Sequence, residues 1–323
     1  MKAAILHKAG EIPRCEEYPD PIPAQDEEII YVKAASIKNL DKSRAKGVHY
    51  DSNAIFPSIV GVDGVGVLAD GTRVYTGSPS GMMAEKALVS KKRMRVPLPD
   101  NIDDVTAAAI PNPALSAWLS LEFKGELKKG DTVFILGATG ITGKLAIQFA
   151  KHLGAGKIIA AGRNPVALKT LPSLGADVVV SLNQSREELE KELKGLKKES
   201  HFDIVIDYLW GEPAEMLLDV LSGHDLDAAA KRVRYIQVGE MAGPTIKLKG
   251  GTLRGSWIEL SGQGGGGVPK EIMMKIPTEY LPKIFDMAAK GQLVIDTEAV
   301  ALEDVEEAWK RGDTGGKRLV VVM

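Results

Sequence analysis

The chain has almost no cysteine and no excess of charge of either sign. Its single cysteine, Cys15, excludes an intrachain disulfide and a thiolate metal cluster. Lys and Arg total 41 against 43 Asp and Glu, which gives a formal net charge of -2. That balance argues against a general binder of nucleic acid or of anionic membranes, because such proteins normally carry a basic excess.

Long apolar runs are also missing. No stretch approaches the ~18 uninterrupted apolar residues of a membrane span. The opening residues, MKAAILHKAGEIP, hold only a very short apolar run before His7 and do not fit a signal peptide. We therefore expect a cytoplasmic protein without a membrane segment. Its 323 residues, 44% of them hydrophobic, suffice for about two domains with real cores.

The middle of the chain alternates between strand-like and helix-like patterns. The strand-like runs are 132–136, 157–161, 177–181, 202–207, 234–239 and 257–262. The clearest helix is 185–200, where Ser185 and Glu188 have the spacing of a capping box. Near-continuous apolar strands alternating with helices indicate a parallel sheet covered on both faces. Six strands in this rhythm predict a doubly wound α/β fold of the dinucleotide-binding type.

The first 110 or so residues predict a different, mostly β domain. They are rich in Gly and Pro and contain short strand runs at 27–35 and 63–77, the latter with Asp70-Gly71 as a hairpin turn. Near the other end, the glycine-rich run 263–269 predicts a flexible return from the nucleotide-type domain. Helices at 278–291 and 303–312 and a last strand are expected after it.

The loop after the first strand of the parallel set suits a phosphate. It opens an amphipathic helix, whose N-terminus presents unpaired N–H groups and a positive dipole end. Aligned on the dinucleotide pattern G-x-G-x-x-G, the chain has alanine at 138 and glycine at 140 and 143. Alanine still allows a tight turn. The predicted cofactor-binding residues of this loop are Ala138, Thr139, Gly140, Ile141 and Gly143.

Two other interpretations of the loop compete with this one. An ATP-type P-loop also ends in Gly-Lys, but Leu145 follows Lys144 where that motif needs Ser or Thr. A tight strand-to-helix turn without any ligand is the second alternative. The strand, the helix and five further strands in register favour dinucleotide binding over both.

The residues at the end of the second strand distinguish NAD binding from NADP binding. NAD binders place Asp or Glu there to take the ribose 2′-hydroxyl. This chain has Gly162, Arg163 and Asn164 and no acid, and an Arg guanidinium offers a planar fork to a 2′-phosphate. A surface arginine without a ligand is the alternative, and we expect NADPH.

The sequence resembles the medium-chain dehydrogenase/reductase superfamily on its zinc-free, quinone oxidoreductase side. The resemblance covers nearly the whole chain, and the segments that carry it are 56–68, 81–89, 112–121, 127–155, 174–182 and the closing DVEEAW and GGKRLVVV. It implies a GroES-like catalytic domain at 1–112, completed by 268–323, and an NADP-binding Rossmann domain at 113–267, with the active site in the cleft. Members are commonly dimers or tetramers, so we expect a homodimer.

The residues that hold zinc in the alcohol dehydrogenases of the superfamily are replaced here. The matching segments read SIKNLDK (36–42) and GVDG (61–64), so the sulfur ligand is absent and Val62 stands in place of histidine. The five histidines are scattered without ligand spacing. A catalytic zinc needs about three protein ligands facing one open position. We therefore predict no metal site.

The resemblance also implies candidate catalytic residues. Quinone oxidoreductases typically read Asn-Pro-x-Asp where this chain has Lys38-Asn39-Leu40-Asp41, so only Asp41 holds its place. Tyr50 resembles a tyrosine proposed as proton donor in related enoyl reductases. We predict Lys38, Tyr50 and Asp41 as catalytic residues, and among them Lys38 and Tyr50 as the hydrogen-bond donors to the developing oxyanion. A surface or Asp41-paired lysine and a tyrosine that only packs at the rim are the alternatives.

Further residues of the cleft follow from the same resemblance. Predicted for the cofactor are Ser116, Gly239, Glu240, Met241 and Gly262, while Asn112 and Trp210 are expected to line the pocket or the adenine side. The implied activity is NADPH-dependent, zinc-independent hydride transfer to a quinone or α,β-unsaturated carbonyl, with a small electrophilic molecule as substrate. An NADPH reductase of an acyl thioester or ketone, and a non-catalytic NADPH-binding protein, remain alternatives.

Overall fold

The computed structural model describes residues 1–48, 52, 55–222, 231–312 and 316–323. This part of the chain divides into two compact units. One unit comprises Met1–Asn112 with Glu271–Met323, and the other comprises Pro113–Lys270. None of the helices described below has the length and apolar character of a membrane-spanning segment.

The first part of the chain is mostly β-structure. Its strands are β1 (Lys2–Leu6), β2 (Arg14–Glu17), β3 (Glu27–Ser36), β4 (Ser58–Ile59), β5 (Asp63–Leu68), β6 (Arg73–Gly77), β7 (Lys86–Ser90) and β8 (Arg95–Pro97), and its helices are α1 (Asn39–Ala45) and α2 (Asp104–Ala109). The expected hairpin is β5 and β6, in which Val65 lies opposite Tyr75. The short helix α1 was not predicted, because seven residues are too few to show a helical period.

The central part alternates strands and helices. The helices are α3 (Pro111–Leu119), α4 (Ile141–His152), α5 (Pro165–Leu168), α6 (Leu171–Leu174), α7 (Arg186–Glu199), α8 (Gly211–Leu221) and α9 (Gly250–Arg254). The strands are β9 (Thr132–Leu136), β10 (Lys157–Gly162), β11 (Val178–Ser181), β12 (Ile204–Asp207), β13 (Val233–Gln237) and β14 (Ile258–Gly262). A π-helical turn, Ser120–Lys124, follows α3. The predicted capping box is present at α7, where Ser185 Oγ accepts a hydrogen bond from Glu188 N at 3.3 Å.

The last part returns to the first unit. A 3₁₀ turn (Gly265–Gly267) lies within the glycine-rich run and is followed by α10 (Lys270–Lys275), a π-helical turn (Ile276–Tyr280) and α11 (Leu281–Ala289). Then come β15 (Thr297–Ala301), a 3₁₀ turn (Leu302–Asp304), α12 (Val305–Lys310) and β16 (Arg318–Val322). The sequence did not predict α10. The two predicted helices, 278–291 and 303–312, are shorter than expected: π and 3₁₀ turns replace their first residues, and each ends two residues earlier.

The six strands of the central unit form one parallel sheet. Their spatial order is β11-β10-β9-β12-β13-β14, so the order reverses between β9 and β12. The doubly wound fold predicted from the sequence is therefore confirmed. One face of the sheet packs into an apolar core that includes Phe134, Ile159, Phe202, Leu217 and Tyr235, all buried.

The other unit holds a three-stranded sheet, β2-β1-β4, and a seven-stranded sheet. In the larger sheet β15-β16-β3-β5-β6-β8 follow one another and β7 pairs with β3. Strand β16 runs antiparallel to β3, with Val321 opposite Ala35, so residues from the end of the chain complete a sheet begun near its start. The predicted mostly β domain is confirmed.

Candidate functional site

The strands of the parallel sheet all end at one edge, and most predicted cofactor residues follow these ends. The register aligns Leu136 of β9 with Ala161 of β10 on one side and with Asp207 of β12 on the other. Gln237 of β13 then lies between Asp207 and Gly262 of β14. In an open parallel sheet, ligands bind outside the carboxyl ends at the place where the strand order reverses. The reversal lies between β9 and β12.

The glycine loop after β9 combines a tight turn with open backbone. The turn is made by Gly137, which has φ of +92°, so the neighbouring Ala138 needs no unusual conformation. A Cβ atom added to Gly143 would lie 2.5 Å from Gly137 O, so only glycine lets α4 approach the loop. A Cβ atom added to Gly140 would have no neighbour nearer than 3.5 Å, and Gly140 is exposed. Bare, accessible backbone is what a phosphate group needs for close approach.

The N-terminus of α4 supplies donors beside this open backbone. The first hydrogen bond within the helix runs from Lys144 N to Gly140 O at 2.9 Å. The amides of Ile141, Thr142 and Gly143 therefore have no acceptor within the helix. Thr139, half-buried, packs against the end of β10, where a Cβ atom on Gly162 would come within 2.4 Å of its Cγ2.

The end of β10 presents Arg163 to solvent. Its side chain is exposed, and its carbonyl accepts a hydrogen bond from Asn183 Nδ2 at 2.6 Å. Asn164 is the N-cap of α5, and its Oδ1 accepts from Val166 N and Ala167 N at 3.0 and 3.1 Å. The Asn164 oxygen thus has a structural role that sequence reasoning did not assign to it.

The turn after β12 is held by a buried carboxylate. Asp207 Oδ1 accepts hydrogen bonds from Leu209 N and Trp210 N at 2.8 and 2.9 Å, and Oδ2 accepts one from Tyr235 O–H at 2.7 Å. Burial raises the pKa of Asp207 above its ordinary value, although these three hydrogen bonds act in the opposite direction. Trp210 adopts φ 56° and ψ -156°, a region that is almost restricted to glycine. Backbone strain of this kind is typical of functional sites.

The ends of β13 and β14 complete this edge. Gly239 N donates to Asp207 O at 3.1 Å, which ties the end of β13 to that of β12. Glu240 and Met241 follow and are exposed, as is Gly262 at the end of β14. Ser116 lies in α3, half-buried, where its carbonyl accepts a hydrogen bond from Ser120 Oγ at 2.7 Å. Asn112, also in α3, is exposed.

Lys38, in the other unit, is buried in a cluster of charges. The residue is 1% exposed, and its Nζ lies 2.9 Å from Asp63 Oδ1 and 3.3 Å from Asp41 Oδ2. Nζ also donates to Ser36 O at 3.2 Å. Burial lowers the pKa of Lys38, but the two carboxylates outweigh this effect and hold it above its ordinary value. The structure thus pairs Lys38 with Asp41, as one of the alternatives expected, and with Asp63; its catalytic role stays a prediction.

Three further groups complete this cluster. Asp41, also buried, accepts hydrogen bonds from Lys38 N and from Val62 N, both at 2.9 Å. Arg318 of β16 donates from Nη1 to Ile37 O at 3.1 Å, and burial lowers its pKa against the opposing effect of Asp41 and Asp63. Burial, followed by the Asp63 carboxylate, raises the pKa of Tyr75 well above its ordinary value. The two cations, Lys38 and Arg318, thus neutralise the two anions, Asp41 and Asp63.

Tyr50, the other predicted catalytic residue, lies outside the described residues. Its role as proton donor stays a prediction.

Comparisons with known proteins agree with this architecture. A family model described as zinc-binding dehydrogenase matches residues 142–224. A protein of Emericella nidulans named "Probable NADPH-dependent quinone reductase tdiC" is 26% identical over 366 residues, an alignment that covers 100% of both chains. The crystal structure of Escherichia coli quinone oxidoreductase complexed with NADPH superposes with a TM-score of 0.84 at 21% identity and covers 100% of both chains.

By these matches the chain is similar to the medium-chain dehydrogenase/reductase superfamily, in its quinone oxidoreductase-like branch. Other relatives match over a shorter span. An alkenal/one oxidoreductase of Arabidopsis thaliana, named as NADPH-dependent, is 28% identical over 185 residues, which are 51% of this chain and 47% of that protein.

The segments that match the zinc-ligand segments of the alcohol dehydrogenases in the superfamily that this chain resembles do not fit a zinc ion here. Lys38 brings an ammonium group, which repels a cation, and Val62 brings an apolar side chain. The Asp41 and Asp63 carboxylates are already neutralised by the Lys38 ammonium together with the Arg318 guanidinium. Within the described ranges, no three His, Cys, Asp or Glu side chains form a group that could hold a metal ion.

Sequence reasoning missed two residues at the carboxyl edge of the parallel sheet, Asp207 and Tyr208. Asp207 was included only as the last letter of an apolar strand. A carboxylate at the carboxyl end of a buried parallel strand is costly without partners, and that signal could have drawn attention to it.

Proposed function

We propose that the protein is an NADPH-dependent oxidoreductase that reduces a quinone or an α,β-unsaturated carbonyl compound without zinc. The open backbone at Gly140, beside the free amides of α4 and at the reversal of strand order, is the observation that carries the proposal. The names of the relatives support the same activity, since they include an NADPH-dependent quinone reductase and an alkenal/one oxidoreductase.

Different residues at the carboxyl edge of the parallel sheet would bind different parts of the cofactor. Gly140 and the amides of Ile141, Thr142 and Gly143 would hold the pyrophosphate, and the exposed Arg163 would pair with the ribose 2′-phosphate. The bound NADPH supplies the hydride. Conjugated acceptors suit a site without zinc, because their developing oxyanion needs only hydrogen-bond donors for stabilisation. Tyr50 is the proposed donor.

Consumption of NADPH against a small panel of acceptors tests the proposal. The panel holds a quinone, an enone, an enoyl thioester and a simple ketone. Turnover of the quinone or the enone is the expected result. Turnover of only the thioester or the ketone would overturn the substrate class, and NADPH binding without turnover of any acceptor would indicate a non-catalytic binding protein.

Two glycine-to-alanine substitutions test the proposed phosphate site by NADPH affinity. Gly140→Ala adds a methyl group where the apo protein has room, so the melting temperature should stay unchanged while the methyl group blocks the phosphate. We expect NADPH affinity to fall at least about 10-fold, the equivalent of losing one charged hydrogen bond. Gly195→Ala, in α7 with no atom within 4 Å of the new methyl group, is the control and should leave binding unchanged. Equal NADPH affinity in both variants would place the phosphates elsewhere.

Zinc independence is proposed from the Lys38 ammonium, which takes the charge-neutralising place beside Asp41 and Asp63. Elemental analysis of dialysed protein should show well under one zinc per chain, and a chelator should leave turnover intact. Stoichiometric zinc that rises and falls with activity would refute this part of the proposal.

We also propose a homodimer formed through β14. This strand is at the end of the sheet order; Trp257, just before it, is 52% exposed, and Leu260, within it, is 39% exposed. Exposed sheet edges with apolar side chains readily pair with another chain. Light scattering should give twice the chain mass, and Leu260→Lys should shift it toward the monomer. A monomeric wild-type protein at micromolar concentration would contradict the dimer.

A further inference from the structure

Tyr208 has a buried hydroxyl group without a hydrogen-bond partner. The residue follows β12 and is 8% exposed, and across the described residues nothing pairs with its hydroxyl oxygen. Burying a hydroxyl in this state is unfavourable, so such groups call for an explanation. Two other buried tyrosines satisfy theirs with carboxylates, Tyr235 with Asp207 and Tyr75 with Asp63.

Tyr208 lies at the carboxyl edge of the parallel sheet, directly after β12. Its N–H donates to Leu136 O at 3.0 Å, at the end of β9. A Cβ atom added to Gly137 would lie 3.1 Å from Tyr208 Cβ, and one added to Gly239 would lie 2.5 Å from Tyr208 O. Tyr208 is therefore packed between the glycine loop and the turn after β13, at the reversal of strand order.

The turn that carries Tyr208 is rigidly fixed. Asp207, immediately before it, anchors the amides of Leu209 and Trp210, and Trp210 occupies a strained conformation. A conformation of this kind persists only where surrounding contacts over-determine it. The tyrosine is thus held in place at a site where its hydroxyl has no partner of its own.

The strand order decides which part of a dinucleotide lies nearest. Arg163 follows β10, on one side of β9, and is the proposed partner of the 2′-phosphate on the adenosine half. Tyr208 follows β12, on the other side of β9. A dinucleotide lying across this edge, with its pyrophosphate on the glycine loop, brings its nicotinamide half over β12 and β13.

We propose that the Tyr208 hydroxyl donates a hydrogen bond to the nicotinamide-riboside half of NADPH. This inference rests on the proposed function. Bound cofactor then supplies the partner that the hydroxyl lacks among the described residues, and Tyr208 is a cofactor-binding residue rather than a core residue.

Tyr208→Phe tests the proposal through binding and stability together. The variant should bind NADPH about 3- to 10-fold more weakly, the usual range for one hydrogen bond. It should bind 2′,5′-ADP, which lacks the nicotinamide half, as the wild type does. Without cofactor it should melt a few degrees higher, about 2–8 °C, because an unsatisfied buried hydroxyl has been removed. Tyr235→Phe is the matched control and should melt lower, since it removes a hydrogen bond to Asp207.

The outcomes separate this inference from the proposed function. If wild-type protein fails to bind NADPH, the proposed function is overturned, and this inference with it. If the wild type binds NADPH and Tyr208→Phe binds it equally well, only the inference is overturned. It is also overturned if 2′,5′-ADP is weakened as much as NADPH, or if apo Tyr208→Phe melts below the wild type.

Discussion

Replacing Lys38 by methionine tests the buried charge cluster. The change removes an ammonium group that is 1% exposed and leaves the Asp41 and Asp63 carboxylates facing Arg318 alone. Breaking a buried ion pair by deleting one partner costs about 3–5 kcal/mol, because the remaining charge stays desolvated. In a domain of this size, each kcal/mol shifts the melting temperature by about 2–4 °C. We expect Lys38→Met to melt roughly 6–20 °C below the wild type.

Differential scanning calorimetry with two companion variants checks this expectation. Lys33→Met, on the exposed face of β3, should leave the melting temperature within about a degree, as surface substitutions generally do. The double variant Lys38→Met/Asp63→Asn removes one charge of each sign and should recover part of the loss. Two outcomes would refute the claim that the buried charges stabilise one another. One is a Lys38→Met protein as stable as Lys33→Met, and the other is a double variant whose losses of stability are strictly additive.

The same variant tests the catalytic role predicted for Lys38. Turnover of an enone is measured well below the melting temperature of the variant. If Lys38 donates to the oxyanion, its removal should lower kcat by about 100- to 1000-fold. The Nζ contacts to Ser36 O, Asp41 and Asp63 favour the structural role instead. Near wild-type turnover together with a lowered melting temperature would reject catalysis by Lys38, and lost turnover at full stability would reject the structural role.

Three further outcomes are expected. Arg163→Ala should raise KM for NADPH by about 10- to 100-fold and leave KM for NADH little changed, and equal effects would reject the 2′-phosphate contact. Tyr50→Phe should lower kcat for an enone more than for a quinone, and unchanged kcat would reject the proton donor. The raised pKa of Asp207 means that the folded state binds more protons above the unfolded pKa, so its contribution to stability is lost as pH rises. Asp207→Asn should therefore gain melting temperature relative to wild type as the pH rises above the ordinary pKa of an aspartate, about 4, and parallel pH profiles would refute this.

Local patterns in the sequence were enough to predict the parallel sheet. Strand β9, for example, is TVFIL, which is buried throughout, and apolar runs of this kind occur where both faces of a strand are covered. The hairpin of β5 and β6 and the cap of α7 were also predicted correctly, because a turn or a cap depends on residues only a few positions apart. Helices α1 and α10, of seven and six residues, were missed because they are too short for a periodic pattern.

The sequence by itself determined which loops follow the strands of the sheet and therefore where a dinucleotide would bind. Only the tertiary structure decided which polar groups meet. Lys38 pairs with Asp63, 25 residues away, and shares its cluster with Arg318 from the last strand. The pattern of buried positions in a strand depends on residues that are close in sequence, but the pairing of buried charges depends on how the fold brings distant residues together. For the same reason, only the three-dimensional structure shows that the Tyr208 hydroxyl has no hydrogen-bond partner among the described residues.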